Sequence, residues 1–150
     1  MRTPMQYSKV GLALTERFEG CRFVAYKPLP TDPWTIGYGH TGPDVYEGMT
    51  CTQQQAMAWL ILDTHEAQDA VNELVNIQLN QPEFDALVDF VYNVGREAFA
   101  RSTMLRLLNG GDIRTAAGQF ALWDHAGGRV VAGLLRRRLA EKKEFLNPPV

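Results

Sequence analysis

Nearly half of this chain carries no positive charge: between Pro28 and Gly95 there is no Lys or Arg, against ten Asp and Glu. Cysteine is almost as scarce. Cys21 and Cys51 are too few for a disulfide framework and lack metal-ligand spacing, so they read as two free thiols of a protein made in the cytosol. No apolar run approaches the roughly 20 residues that a membrane-spanning helix needs. The opening M-R-T-P-M-Q-Y-S-K-V-G-L has no apolar segment of the secretory kind, and no signal is expected. Internal repeats and low-complexity linkers are absent. So is any helix-turn-helix, zinc-finger or aromatic–basic platform, which argues against nucleic acid as a partner.

What is present is ordinary for a globular chain. With 150 residues, 45% hydrophobic and 21% charged, it is long enough for one domain or two small lobes sharing a core. The net charge of −2 conceals a polarity. The first 27 residues hold five basic and two acidic side chains, and residues from Arg96 onward hold ten basic and five acidic. For a single charge, a solvated helix face is the plainer reading. A positive C-terminal half facing an acidic polymer is the functional one.

The chain is organised around residues 18–41, F-E-G-C-R-F-V-A-Y-K-P-L-P-T-D-P-W-T-I-G-Y-G-H-T. Ser8 is placed to cap a first helix, in which Val10, Leu14 and Phe18 form one apolar stripe and Gly20 is the C-cap. Glu19 then lies in the last turn. The partial negative end of the helix opposes a carboxylate there, which suits a proton donor. Arg22 to Tyr26 alternates as a strand, the three prolines of 27–33 make a loop, and Trp34 to Tyr38 reads as a second strand. Gly37 and Gly39 flank Tyr38 and signal a bulge or a close approach. A turn at 41–44 and a short third strand at Val45 to Met49 complete an antiparallel lobe of about 22–51. Two carboxylates, Glu19 and Asp32, and the Thr35 hydroxyl are thereby available to one site. That is the equipment for cutting a glycosidic bond.

The remainder reads as helices. Thr52 with Gln55 is a capping box, and one long linking helix is expected over about 52–74. Asn80, Pro82 and Glu83 open a largely buried helix that Gly95 ends. Ser102 caps a helix over 103–109. Asp112 caps another that runs through Phe120 and Trp123, so Gln119 and Trp123, four apart, share a face. Gly127 and Gly128 break the chain. A last helix from Arg129 to Leu146 has Val130, Leu134, Leu135, Leu139 and Phe145 inward and a basic outer face. The fold class is α+β, with the N-terminal helix joining a helical lobe over about 80–146.

These segments resemble the phage-type lysozymes, muramidase endolysins of glycoside hydrolase family 24. The resemblance is carried by F-E-G-C-R at 18–22, A-Y at 25–26, W-T-I-G-Y-G-H-T at 34–41 and F-D-A-L-V-D-F-V-Y-N-V-G at 84–95. Further matches are A-F at 98–99, S-T at 102–103, L-N-G-G-D at 108–112, Q-F at 119–120, Trp123, A-G-G at 126–128 and G-L-L-R-R-R at 133–138. They are collinear over nearly the whole chain. The resemblance implies a single lysozyme-like domain with the substrate cleft between its lobes. The family's catalytic pattern is a Glu, an Asp nine positions on and a Thr six further. Glu19 and Thr35 fill the outer places, but Pro28 stands nine after Glu19. The loop is one residue longer than the pattern, and its only acid is Asp32.

The activity so implied is hydrolysis of the β-1,4 link between N-acetylmuramic acid and N-acetylglucosamine in peptidoglycan. Glu19 is the general acid, Asp32 the second carboxylate and Thr35 the holder of water, with no cofactor or metal. Asp32 reads equally well as a turn residue before Pro33. The family pairs its His with an Asp of the linking helix, which predicts a His40–Asp63 ion pair with the folded pKa of His40 raised. One arginine of Arg136, Arg137 and Arg138, taken as Arg137, is expected to orient Glu19. Tyr38, Asn93, Gln119 and Trp123 are the candidate sugar contacts; core packing for Trp123 and backbone capping for Asn93 stand beside that reading. With no signal visible, a monomer held in the host cytoplasm is expected, and the family implies that it acts at the wall after a membrane-permeabilising partner releases it. Two alternatives remain: a lytic transglycosylase using Glu19 alone, and a non-catalytic peptidoglycan-binding module.

Overall fold

The computed structural model describes residues 3–149. Helix α1 (Lys9–Glu19) starts at Ser8, whose Oγ accepts the Gly11 N–H at 3.2 Å. It stops where Gly20, at φ +66°, donates its N–H to Glu16 O. The buried positions of α1 are Gly11 and Thr15, not the expected stripe, and Val10 is 61% exposed.

Thr15–His65 forms one compact unit. Its antiparallel sheet has the order β1 (Arg22–Tyr26), β2 (Thr35–Gly37), β3 (His40–Thr41), with Tyr26 opposite Thr35 and Ile36 opposite His40. The expected strand at Val45 to Met49 does not form. Tight turns, Val45 N–H to Gly42 O and Met49 N–H to Tyr46 O, use that backbone instead, and only Thr50 bridges to Val24. The third strand is therefore the two residues before the turn. Ala25, Ile36 and Val45 make the core, with Trp34, Met49, Cys51 and Trp59 packed on it. Helix α2 (Gln53–Asp63) begins at the Thr52–Gln55 capping box and lies close on the sheet. A Cβ at Gly37 would stand 3.2 Å from Ala56 Cβ, so this approach requires glycine.

The expected single helix over 52–74 is divided. Helix α2 ends at Asp63 and α3 (His65–Leu74) follows, with Thr64 between them. The buried Thr64 hydroxyl donates to Ile61 O at 3.0 Å, a side-chain bond that competes with the helical ladder.

The second compact unit combines the described residues up to Leu14 with those from Glu66 on. Helix α4 (Gln81–Val94) is its axis, and every residue from Phe84 to Val91 is buried. Short helices α5 (Arg96–Ala100), α6 (Thr103–Asn109) and α7 (Ile113–Gly118) follow. Phe90 meets Phe99, Phe120 and Trp123 edge-on at 5.4–6.3 Å between centroids. Each such pair adds about 0.5–1.5 kcal/mol beyond its area burial. Helix α7 stops at Gly118 and a 3₁₀ turn spans Phe120–Leu122, so Gln119 and Trp123 do not share a helical face as expected.

The last helix also starts later than expected. Gly127 (φ +59°) and Gly128 (φ +77°) form a two-residue hairpin turn, pairing β4 (His125–Ala126) with β5 (Arg129–Val130). Helix α8 (Ala132–Phe145) begins after it. Val130 and Leu139, expected inward, are 62% and 47% exposed, whereas Arg137 and Arg138 of the expected basic outer face are buried. No helix among the described residues is long and apolar enough to cross a membrane.

Candidate active site

In the Thr15–His65 unit the sequence candidates gather on α1, β2 and the β2–β3 turn. Glu19 is the last residue of α1 and is half-buried. Its Oε1 would stand 3.1 Å from a Cβ placed on Gly39, so the carboxylate rests against the turn. Thr35 is buried, and its hydroxyl donates to Pro33 O at 3.1 Å. With its hydrogen committed, that oxygen is left as an acceptor for an incoming donor. Asp32 closes a β-turn, its N–H bonded to Leu29 O at 2.9 Å with Pro30 at the second position, and it is half-buried. The turn-residue reading of Asp32 therefore holds for its backbone.

Tyr38 is buried, and its hydroxyl accepts from Gln53 Nε2 at 2.7 Å, which ties the turn to α2. His40 is held twice. Nδ1 lies 2.8 Å from Asp63 Oδ2 and Nε2 lies 3.1 Å from Asp44 Oδ2, while the ring stacks on Trp59 at 4.7 Å. The His40–Asp63 pair is as the sequence indicated; Asp44 and Trp59 are additions. Partial burial pulls the imidazole pKa down, but the bonds to Asp63 and Asp44 and their charges outweigh it, so the net shift is upward. The bond to His40 holds Asp44 below the usual carboxylate range. Cys21 and Cys51 are free thiols, and burial is the first cause pushing both upward.

In the helical unit Arg137 is 5% exposed. Its Nε and Nη2 grip both oxygens of Asp89 at 3.0 and 2.8 Å, and its Nε is 3.8 Å from Glu141 Oε2. Arg138, fully buried, gives Nη2 to Asn93 Oδ1 at 2.9 Å and to Glu141 Oε2 at 3.0 Å, and lies over the Phe90 ring. Its Nε stands 2.6 Å from Glu141 Oε1 without hydrogen-bond alignment. Burial, together with the Asp89 carboxyl beside it, pushes Glu141 well above the usual range against the pull of Arg138 and Arg137. Burial pulls Arg138 down. Two guanidiniums and two carboxyls thus form one buried network.

Asn93 is exposed and anchored by its oxygen on Arg138, so its amide N–H groups face away from that arginine. Gln119 is half-buried and caps α7, and Trp123 is packed on the aromatic core. The sequence reading weighed Arg138 only as one of three candidates to orient Glu19, and it missed Asp89, Glu141 and also Asp85, which accepts from Ser8 N–H and Oγ and from Gln81 Nε2. The available signal was the Asp85–Asp89 spacing inside a helix that is apolar all round: acids there demand partners.

The phage lysozyme family model matches residues 16–141. The endolysin of Bacillus phage B103 is 43% identical over 143 residues, covering 95% of this chain and 54% of that protein. The chain therefore spans about half the length of such Bacillus phage relatives. The solved structure of a P22 lysozyme mutant superposes with a TM-score of 0.87 at 40% identity, covering 95% of this chain and 99% of that one. The muramidase domain of SpmX from Asticaccaulis excentricus gives 0.88 at 42% identity, with the same coverages. The fold is that of these lysozyme neighbours, α+β with small antiparallel sheets, and the chain belongs to the phage lysozyme family.

Proposed function

We propose that the chain is an endolysin-type muramidase. It hydrolyses the β-1,4 bond between N-acetylmuramic acid and N-acetylglucosamine in bacterial peptidoglycan, with Glu19 as general acid. The observation that carries this reading is Glu19 itself, a half-buried carboxyl at the end of α1, set against Gly39 in the same unit as Thr35. In the protonated form it gives its hydrogen to the leaving glycosidic oxygen as the sugar takes on oxocarbenium character. Water donating to Thr35 Oγ1 keeps its lone pairs for the anomeric carbon, because that oxygen already spends its own hydrogen on Pro33 O. Asp32 supplies the second carboxylate. Arg137 orients the acid; its guanidinium is held in place by Asp89 and Glu141. Asn93, Gln119 and Trp123 are the proposed sugar contacts, Asn93 through its outward amide.

The names of the relatives, endolysin and muramidase, support the same substrate. The setting that follows is a monomer in the host cytoplasm that reaches the wall once a membrane-permeabilising partner releases it. A lytic transglycosylase is the second reading, favoured by Pro28 at the family's second-acid position and by Asp32 closing a turn. Glu19→Gln is expected to lose at least a hundredfold in clearing of purified peptidoglycan. Mass spectrometry of the muropeptides released by the wild type separates the two enzymes. Products carrying the added water support hydrolysis, products one water lighter support ring closure, and full activity in Glu19→Gln removes both.

A further inference from the structure

The Glu19 carboxylate leans on a residue with no side chain, held between two residues that have little freedom to move. On one side of Gly39 is Tyr38, buried and bonded to Gln53 at 2.7 Å. On the other is His40, held by Asp63 and Asp44, stacked on Trp59, and paired across the sheet with Ile36. Gly39 itself sits at φ +89°, and a Cβ built there meets Glu19 Oε1 at 3.1 Å. That is closer than ordinary van der Waals separation, so something must yield by a few tenths of an ångström. The turn is pinned on both flanks. The carboxylate at the end of α1 is the softer partner.

We propose that Gly39 is a positioning residue for the proton donor: its missing side chain fixes where the Glu19 carboxyl stands. This rests on the reading of Glu19 as general acid. A donor must stay within hydrogen-bond reach of the leaving oxygen, and small misplacements there are costly. The glycine is thus required twice, for its backbone angle and for the space that a carboxyl oxygen occupies. Gly48 separates these two demands. It lies in the same unit at φ +83° with nothing within 4 Å of its would-be Cβ. An alanine there carries the same kind of backbone strain without touching the acid.

The experiment measures kcat and KM for wild type, Gly39→Ala, Gly48→Ala and Glu19→Gln on two substrates, below the melting temperature of each variant. One substrate is a soluble peptidoglycan oligosaccharide. The other is its dinitrophenyl glycoside, whose leaving group departs without a proton. Gly39→Ala is expected to lose about tenfold in kcat on the oligosaccharide with KM unchanged, and to regain near-normal kcat on the dinitrophenyl glycoside. Gly48→Ala is expected to match wild type on both. Should Gly39→Ala not fold, Gly39→Asn adds the same Cβ at a backbone angle that asparagine tolerates better. Equal behaviour of the two alanine variants overturns the proposal, as does an equal loss by Gly39→Ala on both substrates. If Glu19→Gln itself shows no preference for the activated substrate, the acid assignment fails first and the proposal falls with it.

Discussion

Among the described residues, the buried polar side chains of the Thr15–His65 unit are Thr15, Thr35 and Thr64. The helical unit buries Ser102 and five charged groups, Asp85, Asp89, Arg137, Arg138 and Glu141. A hydroxyl finds its partner nearby: Thr35 bonds Pro33 and Thr64 bonds Ile61. The buried charges are met both within a helix, as Arg138 by Glu141 three positions on, and from far along the chain. Arg137 reaches Asp89 across 48 positions, Arg138 reaches Asn93 across 45, and Ser8 reaches Asp85 across 77. The smaller unit therefore buries only hydroxyls, which are satisfied cheaply, and the larger one buries a network of ion pairs whose partners cannot be removed one at a time.

The sharpest way to break that contrast is Glu141→Leu, which leaves the Arg138 guanidinium in the core without its carboxylate. A loss of about 3–5 kcal/mol is expected from urea unfolding, with much of it recovered in the double variant Glu141→Leu, Arg138→Met. A loss below about 1 kcal/mol would mean that the network relaxes to solvent and the contrast is false. In the smaller unit Gly37→Ala is expected to cost about 2 kcal/mol, because φ is +64° and Ala56 stands 3.2 Å from the new methyl. The same urea curve reads it. Thr35→Val removes one locally made hydrogen bond and is expected to cost about 1 kcal/mol in stability. A loss as large as that of Glu141→Leu would put both units in one class.

The smallest effect is a slope. The raised pKa of His40 means that its pairing with Asp63 and Asp44 stabilises fully below the unfolded histidine value, and is lost as pH rises through the folded one. Asp44 is lowered, so its share is present above the unfolded carboxylate value and is lost as pH falls through the folded one. The stability gap between wild type and His40→Asn is thus expected to be widest at about pH 4–6.5 and to narrow on either side. A gap that is constant from acid to alkaline pH would show that the clamp does not titrate.

Much of the smaller unit is legible in the sequence. The end of α1 at Gly20, strands at 22–26 and within 34–38, the Thr52–Gln55 box and the His40–Asp63 pair all rest on signals within a few residues or on a family motif. The misreadings there were of the same short range: tight turns replaced a strand at 45–49, and a helix is interrupted at Thr64, whose hydroxyl bonds Ile61 O. In the helical unit caps and starts were readable at Asn80, Ser102 and Asp112. The faces of α8 were not. Arginine is usually solvated, and nothing within α8 says that Arg137 will meet an acid of α4.

The sequence by itself determined where the chain turns, which helices are capped, and that Glu19 stands at a helix end beside a glycine-flanked strand. Those outcomes depend on backbone angles and neighbours a few residues apart. Only the tertiary structure decided which arginines are buried, that Trp59 stacks on His40, and that Glu19 rests on Gly39. Each of these joins groups distant in sequence, and the desolvation of a charge or the space beside a glycine is known only once the other side is in place.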